Sequence, residues 1–413
     1  MKCALSVLGA LTAAASFAAP VVSDVVVSQD AATRRVKVEY SLQDDPAIIT
    51  VAFRTNGQLV AEKDFTTVVG DVNRLVKPAD AHELYWQPER DLVDFATTDF
   101  SAEVTAWALD NPPWYMDIEL GKTAGLIKRF YVSSNAVPGG VTDRRYKTTH
   151  LLMRRIPARD LVWCMGGEGK TEHLVMLTDD YYIGVYEFTQ KQYQSIGFGV
   201  TSDHFDGSKY AEWETMPRST LDYNTIRGSA SATPKIDWPD TKATVGDNSV
   251  LGKLRDYTGI PTFDLPTEAQ WEYAYRAGMS TDLYSGPYNA ENAKAIAWCI
   301  DNSKDESTGE NAPRPVGLKP ANKWGIYDIA GNISEWCRDW QGDYDLVSDT
   351  YVATNPPGPA TGENRIIRAG NYLQGVGLVR AFYRYGYKPA NNYTSTAGYI
   401  GFRVVCDAVI PAE

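Results

Sequence analysis

The chain has 413 residues, 44% hydrophobic and 12% aromatic, with 25 Tyr and 11 Trp, which is enough apolar material for two packed domains. Its formal net charge of -12 repels a phosphate backbone or an anionic membrane surface, so nucleic acid is set aside as a partner. Only four His occur (His82, His150, His173, His204), none with another His at metal-ligand spacing, which argues against an imidazole-rich zinc or iron site.

The N-terminus "MKCALSVLGALTAAASFAAP" carries one Lys, an apolar run from Ala4 to Ala15 and the small-residue ending Ser16-Phe17-Ala18 before Ala19. It reads as a cleaved signal peptide over residues 1–19, which places the mature chain outside the cytoplasm: secreted, periplasmic or at the cell surface. No later segment approaches the roughly 20 apolar residues of a membrane helix, so no transmembrane segment is expected.

From Val21 to Leu120 the pattern has period two. Val36, Val38, Tyr40 and Leu42 alternate with Lys37, Glu39 and Ser41, and Ile49, Val51 and Phe53 repeat the pattern. Asn56-Gly57 supplies a hairpin turn, and "SAEVTAWAL" from Ser101 to Leu109 is another alternating strand. Residues 20–132 are therefore expected to form a small β-sandwich. The stretch 133–156, rich in Ser, Pro, Gly and charge, reads as a linker, with "RRYK" (Arg144 to Lys147) as a solvated basic strip within it.

Beyond Leu161 short helices alternate with strands and long loops. "YYIGVYEFTQKQYQSI" reads as a strand from Tyr181 to Tyr186 followed by a helix capped by Thr189. In "LPTEAQWEYAYRAG", Thr267 and Gln270 form a capping box and Gly278 ends the helix. Glu268 and Glu272 there are read as helix-dipole and surface charges rather than catalytic groups. "GGEGK" (Gly166 to Lys170) lacks P-loop spacing and reads as a turn, while the aperiodic, polar loop Gly197 to Thr241 is long enough to be functional. Neither G-x-S-x-G nor G-x-G-x-x-G occurs.

"YDIAGNISEW", Tyr327 to Trp336, presents Asp328, backbone carbonyls around Gly331 and Ile333, and then Glu335. These are hard oxygen donors of the kind calcium prefers, although a polar turn in which Asp328 and Asn332 cap local backbone groups uses the same residues. Once the signal is removed, Cys164, Cys299, Cys337 and Cys406 remain, and three pairings are open to them. Around Arg384, the segment Arg380 to Tyr387 interleaves guanidinium groups with Phe382, Tyr383, Tyr385 and Tyr387, which suits either a ligand groove or an aromatic core.

"LPTEAQWEYAYRAG", "WGIYDIAGNISEWCRDW", "RIIRAGNY" and "GFRVV", in this order, closely resemble the signature segments of the formylglycine-generating enzyme family, also called sulfatase-modifying factors. The resemblance runs from Ile156 to Ala408 and implies an α+β, C-type-lectin-like domain at 157–408 with little regular secondary structure. It places a structural calcium on Asp328, Gly331, Ile333 and Glu335, and implies loss of a second calcium site, where Ile296 offers no side-chain oxygen. At the two copper-binding cysteines this chain has Gln374 and Val379, so copper and the family's oxidase reaction are not expected. In such a fold the first and last strands pair, which suggests disulfides Cys164–Cys406 and Cys299–Cys337. Gln374, Tyr383 and Arg384 mark the ligand groove. The implied function is a calcium-stabilised binding or scaffold protein for an extracellular peptide, glycan or protein, with an oxidoreductase using another metal arrangement as the alternative.

Overall fold

The computed structural model describes residues 19–411 apart from 61–64, 94–95, 122–127, 168–170, 200–209, 230, 232–235, 237, 240–243, 307, 345–349 and 391–397. The segment read as a signal peptide, the Glu168-Gly169-Lys170 end of the "GGEGK" turn and much of the Gly197 to Thr241 loop lie outside the described residues. Two compact units form, one mainly from residues before 119 and one from 144–407.

In the first unit the period-two segments become strands. One sheet has the order Val21–Gln29, Val36–Gln43, Ala79–Trp86, Val69–Gly70; the other runs Gln58–Leu59, Ala47–Thr55, Arg74–Val76, with Phe100–Trp107 also paired to Ala47–Thr55. Asn56 and Gly57 take positive φ (49° and 73°) at the hairpin expected there. Val36, Val38, Tyr40 and Leu42 from one sheet share a core with Ile49 and Phe53 from the other, and Phe53 stacks on Trp86 at 4.4 Å. The alternation is thus the direct cause of this core, because a pleated strand sends every second side chain to the same face.

The second unit begins earlier than the composition suggests. Residues 150–156, read as the end of a linker, form a strand that pairs with Tyr181–Gly184, which in turn pairs with Val405–Asp407. The apolar run "HLLMRRI" is what makes the strand; the Pro, Gly and charge signal belongs to the residues before it. The basic run is a single 3₁₀ turn with Tyr146 buried, and Arg144 is ion-paired to Glu212 and Glu214 at 2.7 and 2.9 Å. Two further sheets have the orders Leu161–Met165, His173–Leu177, Val352–Thr354 and Tyr385–Tyr387, Arg365–Arg368, Ser334–Trp340, Ile400–Gly401. Both predicted capping boxes are present, at Thr189/Gln192 and Thr267/Gln270. No helix among the described residues is long and apolar enough to cross a membrane.

Neither expected disulfide forms, because Cys299, Cys337 and Cys406 are buried thiols outside any disulfide. The first and last strands of the resemblance, Leu161–Met165 and Val405–Asp407, lie in different sheets, so Cys164 and Cys406 are not cross-strand neighbours. Cys406 instead faces Tyr182 in the register, and Cys337 is part of the apolar core with Trp271 and Ile366.

Short helices and short strands leave the second unit dependent on buried ion pairs. Glu335 and Arg403 are both fully buried, with Nη2 and Oε1 at 2.7 Å; Arg227 and Asp264 are equally dry at 2.8 Å. Removing one partner strands the other charge. Arg403→Met is expected to destabilise by about 3–5 kcal/mol, whereas Arg144→Ala at the exposed pair should cost under about 1 kcal/mol. Urea denaturation midpoints compare the two.

Candidate functional site

Helix Glu268–Arg276 is the element from which the candidate site is built. Its two carboxylates are not surface charges. Glu268 is 3% exposed and accepts from Arg384 Nε and Nη2, both at 2.7 Å, and from Tyr344 Oη at 3.2 Å, with Arg368 Nη1 also 3.2 Å away. Glu272 is completely buried and binds Arg276 and Arg368 and the Gly166 N–H; burial would raise its carboxyl, but these guanidinium groups hold it low. Period and capping reveal a helix but not that two of its acids point inward, since Arg368 and Arg384 come from about 100 residues further along the chain and only Arg276 lies on the same helix.

Beside the start of this helix lies a cleft of about 530 Å³, bounded by His173, Tyr344, Tyr351, Arg384 and the strap Pro356-Pro357-Gly358-Pro359. Asp339, the fifth residue after Asp328's turn ends at Ser334, forms part of its wall. It is 2% exposed, and its Oδ2 accepts the Glu268 N–H at 2.7 Å, satisfying an otherwise unpaired donor at the helix start. Burial, then the neighbouring Glu268 charge, pushes its carboxyl up to about 7. Two glycines let the strap close in: a Cβ on Gly358 (φ +73°) would sit 3.3 Å from Asp339 Oδ1, and one on Gly342 would strike Pro359.

Of the groove residues expected from sequence, Arg384 lines this cleft, whereas Gln374 and Tyr383 are not among its walls. Gln374 C=O accepts the Ile300 N–H at 3.0 Å, and its amide Oε1 is buried without a partner. Val379 is buried in the core. Asp339, His173 and Tyr344 escaped the sequence reading, although an acid two residues after a buried Cys in an alternating strand was the available signal for Asp339.

The turn Tyr327–Trp336 is pinned chiefly by protein groups. Asp328 and Asn332 take left-handed φ of 52° and 58°, and Gly331 (φ +74°) packs so tightly on the Trp298 carbonyl that a Cβ would lie 2.4 Å away. The buried Glu187 carboxylate accepts from Asn332 Nδ2 (2.6 Å) and the Ile333 N–H (3.1 Å). Glu335 is saturated: Arg403 Nε and Nη2 and Trp271 Nε1 occupy both its oxygens at 2.7–2.9 Å. Asp328 Oδ2 accepts the Gly317 N–H, while its Oδ1 is buried and unpartnered. Among the described residues no group of three or more His, Cys, Asp or Glu is arranged to hold a metal ion. Asp328 therefore fits a cation, with an orphaned oxygen available, and Glu335 does not.

The folded Asp339 carboxyl, at about 7, lies above its ordinary value of 3.8, so the folded state binds the extra proton between these values. The stability it contributes is present at low pH and is lost as pH rises through 7. Asp339→Asn keeps an oxygen for the Glu268 N–H. It should leave the melting temperature unchanged near about pH 3.5 and raise it progressively above that toward about pH 8, an effect on the order of a few kcal/mol. Calcium added to the EDTA-treated protein should raise the melting temperature of the wild type and not of Asp328→Ala.

Residues 136–408 match the family described as sulfatase-modifying factor enzyme 1-like domain. The chain is 29% identical to the chaperone protein LppX of Paenibacillus barcinonensis over 215 residues, 46% of this chain and 75% of that protein. It is 32% identical to the formylglycine-generating enzyme of Mus musculus over 158 residues, 36% of this chain and 40% of the enzyme. For the formylglycine-generating enzyme of Streptomyces coelicolor the identity is 34% over 158 residues, 35% of this chain and 46% of the enzyme. The matched stretch thus spans less than half the length of either enzyme. Among solved structures, Treponema denticola variable protein 1 is similar with a TM-score of 0.48 and 24% identity, covering 63% of this chain and 96% of that one.

Proposed function

The chain belongs to the sulfatase-modifying factor enzyme 1-like family through residues 136–408, and from that premise we propose that it is an exported, ligand-binding member that does not run the copper-dependent oxidase reaction. The observation that carries this reading is the pair of residues at the positions of the copper cysteines. Gln374 and Val379 supply no thiolate, the soft ligand that copper(I) requires, and Val379 is shut inside the core. The nearest substitute, Cys299, precedes the residue that bonds Gln374, but burial pushes its thiol up and away from the thiolate form. Burial, and then the Asp339 charge, does the same to Cys337.

Binding is what the remaining geometry supports. A cleft of about 530 Å³, with a buried acid in its wall and prolines and tyrosines at its sides, is the size and character of a small-ligand or side-chain pocket. An extracellular peptide, glycan or protein is the partner class, and a relative that bears the name chaperone protein favours a role other than oxidation. The first unit, two sheets around one core, serves as a β-sandwich companion to this α+β domain. A structural calcium enters the proposal at Asp328, with the backbone carbonyls of Gly331 and Ile333 as its partners; Glu335 would act only through Arg403. Calcium there would neutralise a buried carboxylate and fix the turn.

Elemental analysis of the protein purified from an oxidising compartment, paired with oxygen uptake on a cysteine-containing peptide, tests the reading. The expected result is no copper or iron in stoichiometric amount and no oxygen consumption. A bound redox metal together with oxygen uptake would make the protein an oxidoreductase with a different metal arrangement and would sink the proposal.

A further inference from the structure

We propose that the cleft beside helix Glu268–Arg276 takes an organic cation, an alkylammonium or guanidinium group whose N–H donors are received by Asp339 and the strap carbonyls. The inference rests on the reading of this cleft as the ligand site and adds the chemical class of the ligand.

The argument comes from which hydrogen-bonding groups are already committed. Arg384, the cation on the wall, is spent: Nε and Nη2 hold Glu268, and Nη1 donates to the Gly342 carbonyl at 2.6 Å. Its guanidinium also covers one side of Tyr344, at 4.2 Å from the ring, while His173 lies 4.4 Å from the same ring. His173 Nδ1 is bound to the Thr171 carbonyl at 2.8 Å, which makes that nitrogen the protonated one in the neutral ring and leaves Nε2 as an acceptor. Tyr344 gives its hydroxyl proton to Glu268. The charged and aromatic donors named here are largely engaged within the protein, and the Tyr351 and Thr354 hydroxyls in the lining can donate or accept.

What remains are chiefly acceptors. Asp339 Oδ2 is taken by the Glu268 N–H, while Oδ1 makes no hydrogen bond among the described residues, and the residue is 2% exposed and forms part of the cleft wall. Asp343 adds a second carboxylate. Three of the four strap residues, Pro356, Pro357 and Pro359, have carbonyls and no N–H. Gly358 lets the strap approach Asp339 closely, bringing its carbonyls near the carboxylate, since a Cβ there would sit 3.3 Å from Oδ1. Two carboxylates in the wall disfavour an anionic ligand, and an ammonium or guanidinium, which is donor-only and positively charged, matches them best. The net charge of -12 attracts such a ligand from a distance.

The charged and titratable groups around Asp339 are Glu268 from the helix, Arg338 and Cys337 from its own strand, Arg365 from the adjacent strand and Arg384 from the loop before Tyr385. None of these guanidinium groups forms an ion pair with it, so Asp339 holds its proton up to about 7 in the free protein. A bound cation favours the carboxylate. The proton leaves to solvent on binding, and affinity rises as pH increases through about 7.

Isothermal titration calorimetry of the full chain, in buffers of different ionisation enthalpy, tests this with three probes: a short peptide containing Lys and Arg, the same peptide with norleucine and citrulline in their place, and spermidine. The inference expects the cationic peptide or spermidine to bind with proton release, the neutral peptide to bind about tenfold more weakly or worse, and Asp339→Asn to lose about the same factor together with the pH dependence. Because Asn keeps the acceptor for the Glu268 N–H, a cooperative melt at or above the wild-type temperature near about pH 7 verifies that the variant is folded. Binding by the peptide alone identifies a protein partner, and binding by spermidine alone a free polyamine. Equal affinity for the neutral peptide, insensitive to Asp339→Asn, overturns the cation and leaves the ligand-binding reading standing. No binding by any probe also overturns it, and only oxygen uptake with a redox metal overturns the binding reading as well.

Discussion

Buried guanidinium–carboxylate pairs are the constraint on which the second unit depends. Glu335–Arg403, Asp264–Arg227, Glu272–Arg368, Glu268–Arg384 and Asp180–Arg155 each join segments distant in sequence, and all but the Arg384 guanidinium are nearly or wholly dry. A domain made of strands of two to seven residues and helices of five to nine cannot order its loops through backbone ladders alone. Desolvating each charge is costly, and the cost is offset only when both partners arrive in register. The pairs therefore act as a test of correct folding: a loop in the wrong place leaves a bare charge in the core.

The same pairing logic produces the site. Arg384 and Arg368 are drawn to Glu268, and Arg276 and Arg368 to Glu272, which leaves Asp339 beside them with a backbone N–H and no guanidinium partner. Burial without a counter-charge is what lifts its carboxyl to about 7. The proline strap then lies over it because Gly342 and Gly358 present no side chains. A buried carboxylate in the cleft wall is thus a by-product of the way the arginines are paired. The cysteines follow a parallel course, since Cys337 is packed among apolar side chains as core rather than presented as a ligand.

Protein groups pin the Tyr327–Trp336 turn from both sides. Asp328, Gly331 and Asn332 keep the left-handed backbone of the Tyr327–Trp336 turn, and Glu187, three residues beyond strand Tyr181–Gly184, holds its far side. Burial and the charges of Asp328 and Glu335 raise the Glu187 carboxyl, so this corner of the domain carries more acid than base. That surplus is the physical ground on which a cation at Asp328 rests.

Local chemistry was legible in the sequence. The alternation of Val36, Val38, Tyr40 and Leu42, the Asn56-Gly57 turn and the Thr189 and Thr267 caps each depend on neighbours within a few residues, and each appears where its pattern demands. The order of four motifs was enough to assign the family, and the absence of cysteine at 374 and 379 needs no coordinates to be read. Only the tertiary structure decided that Glu268 and Glu272 face inward, that residues 150–156 are a strand of the second unit, and that Cys164 and Cys406 stand in separate sheets. The reason is common to all three. Whether an acid is a surface charge or a core ion pair, whether a segment is linker or strand, and whether two thiols can meet depends on partners that are for the most part tens to hundreds of residues away, and helix period and composition carry no record of them.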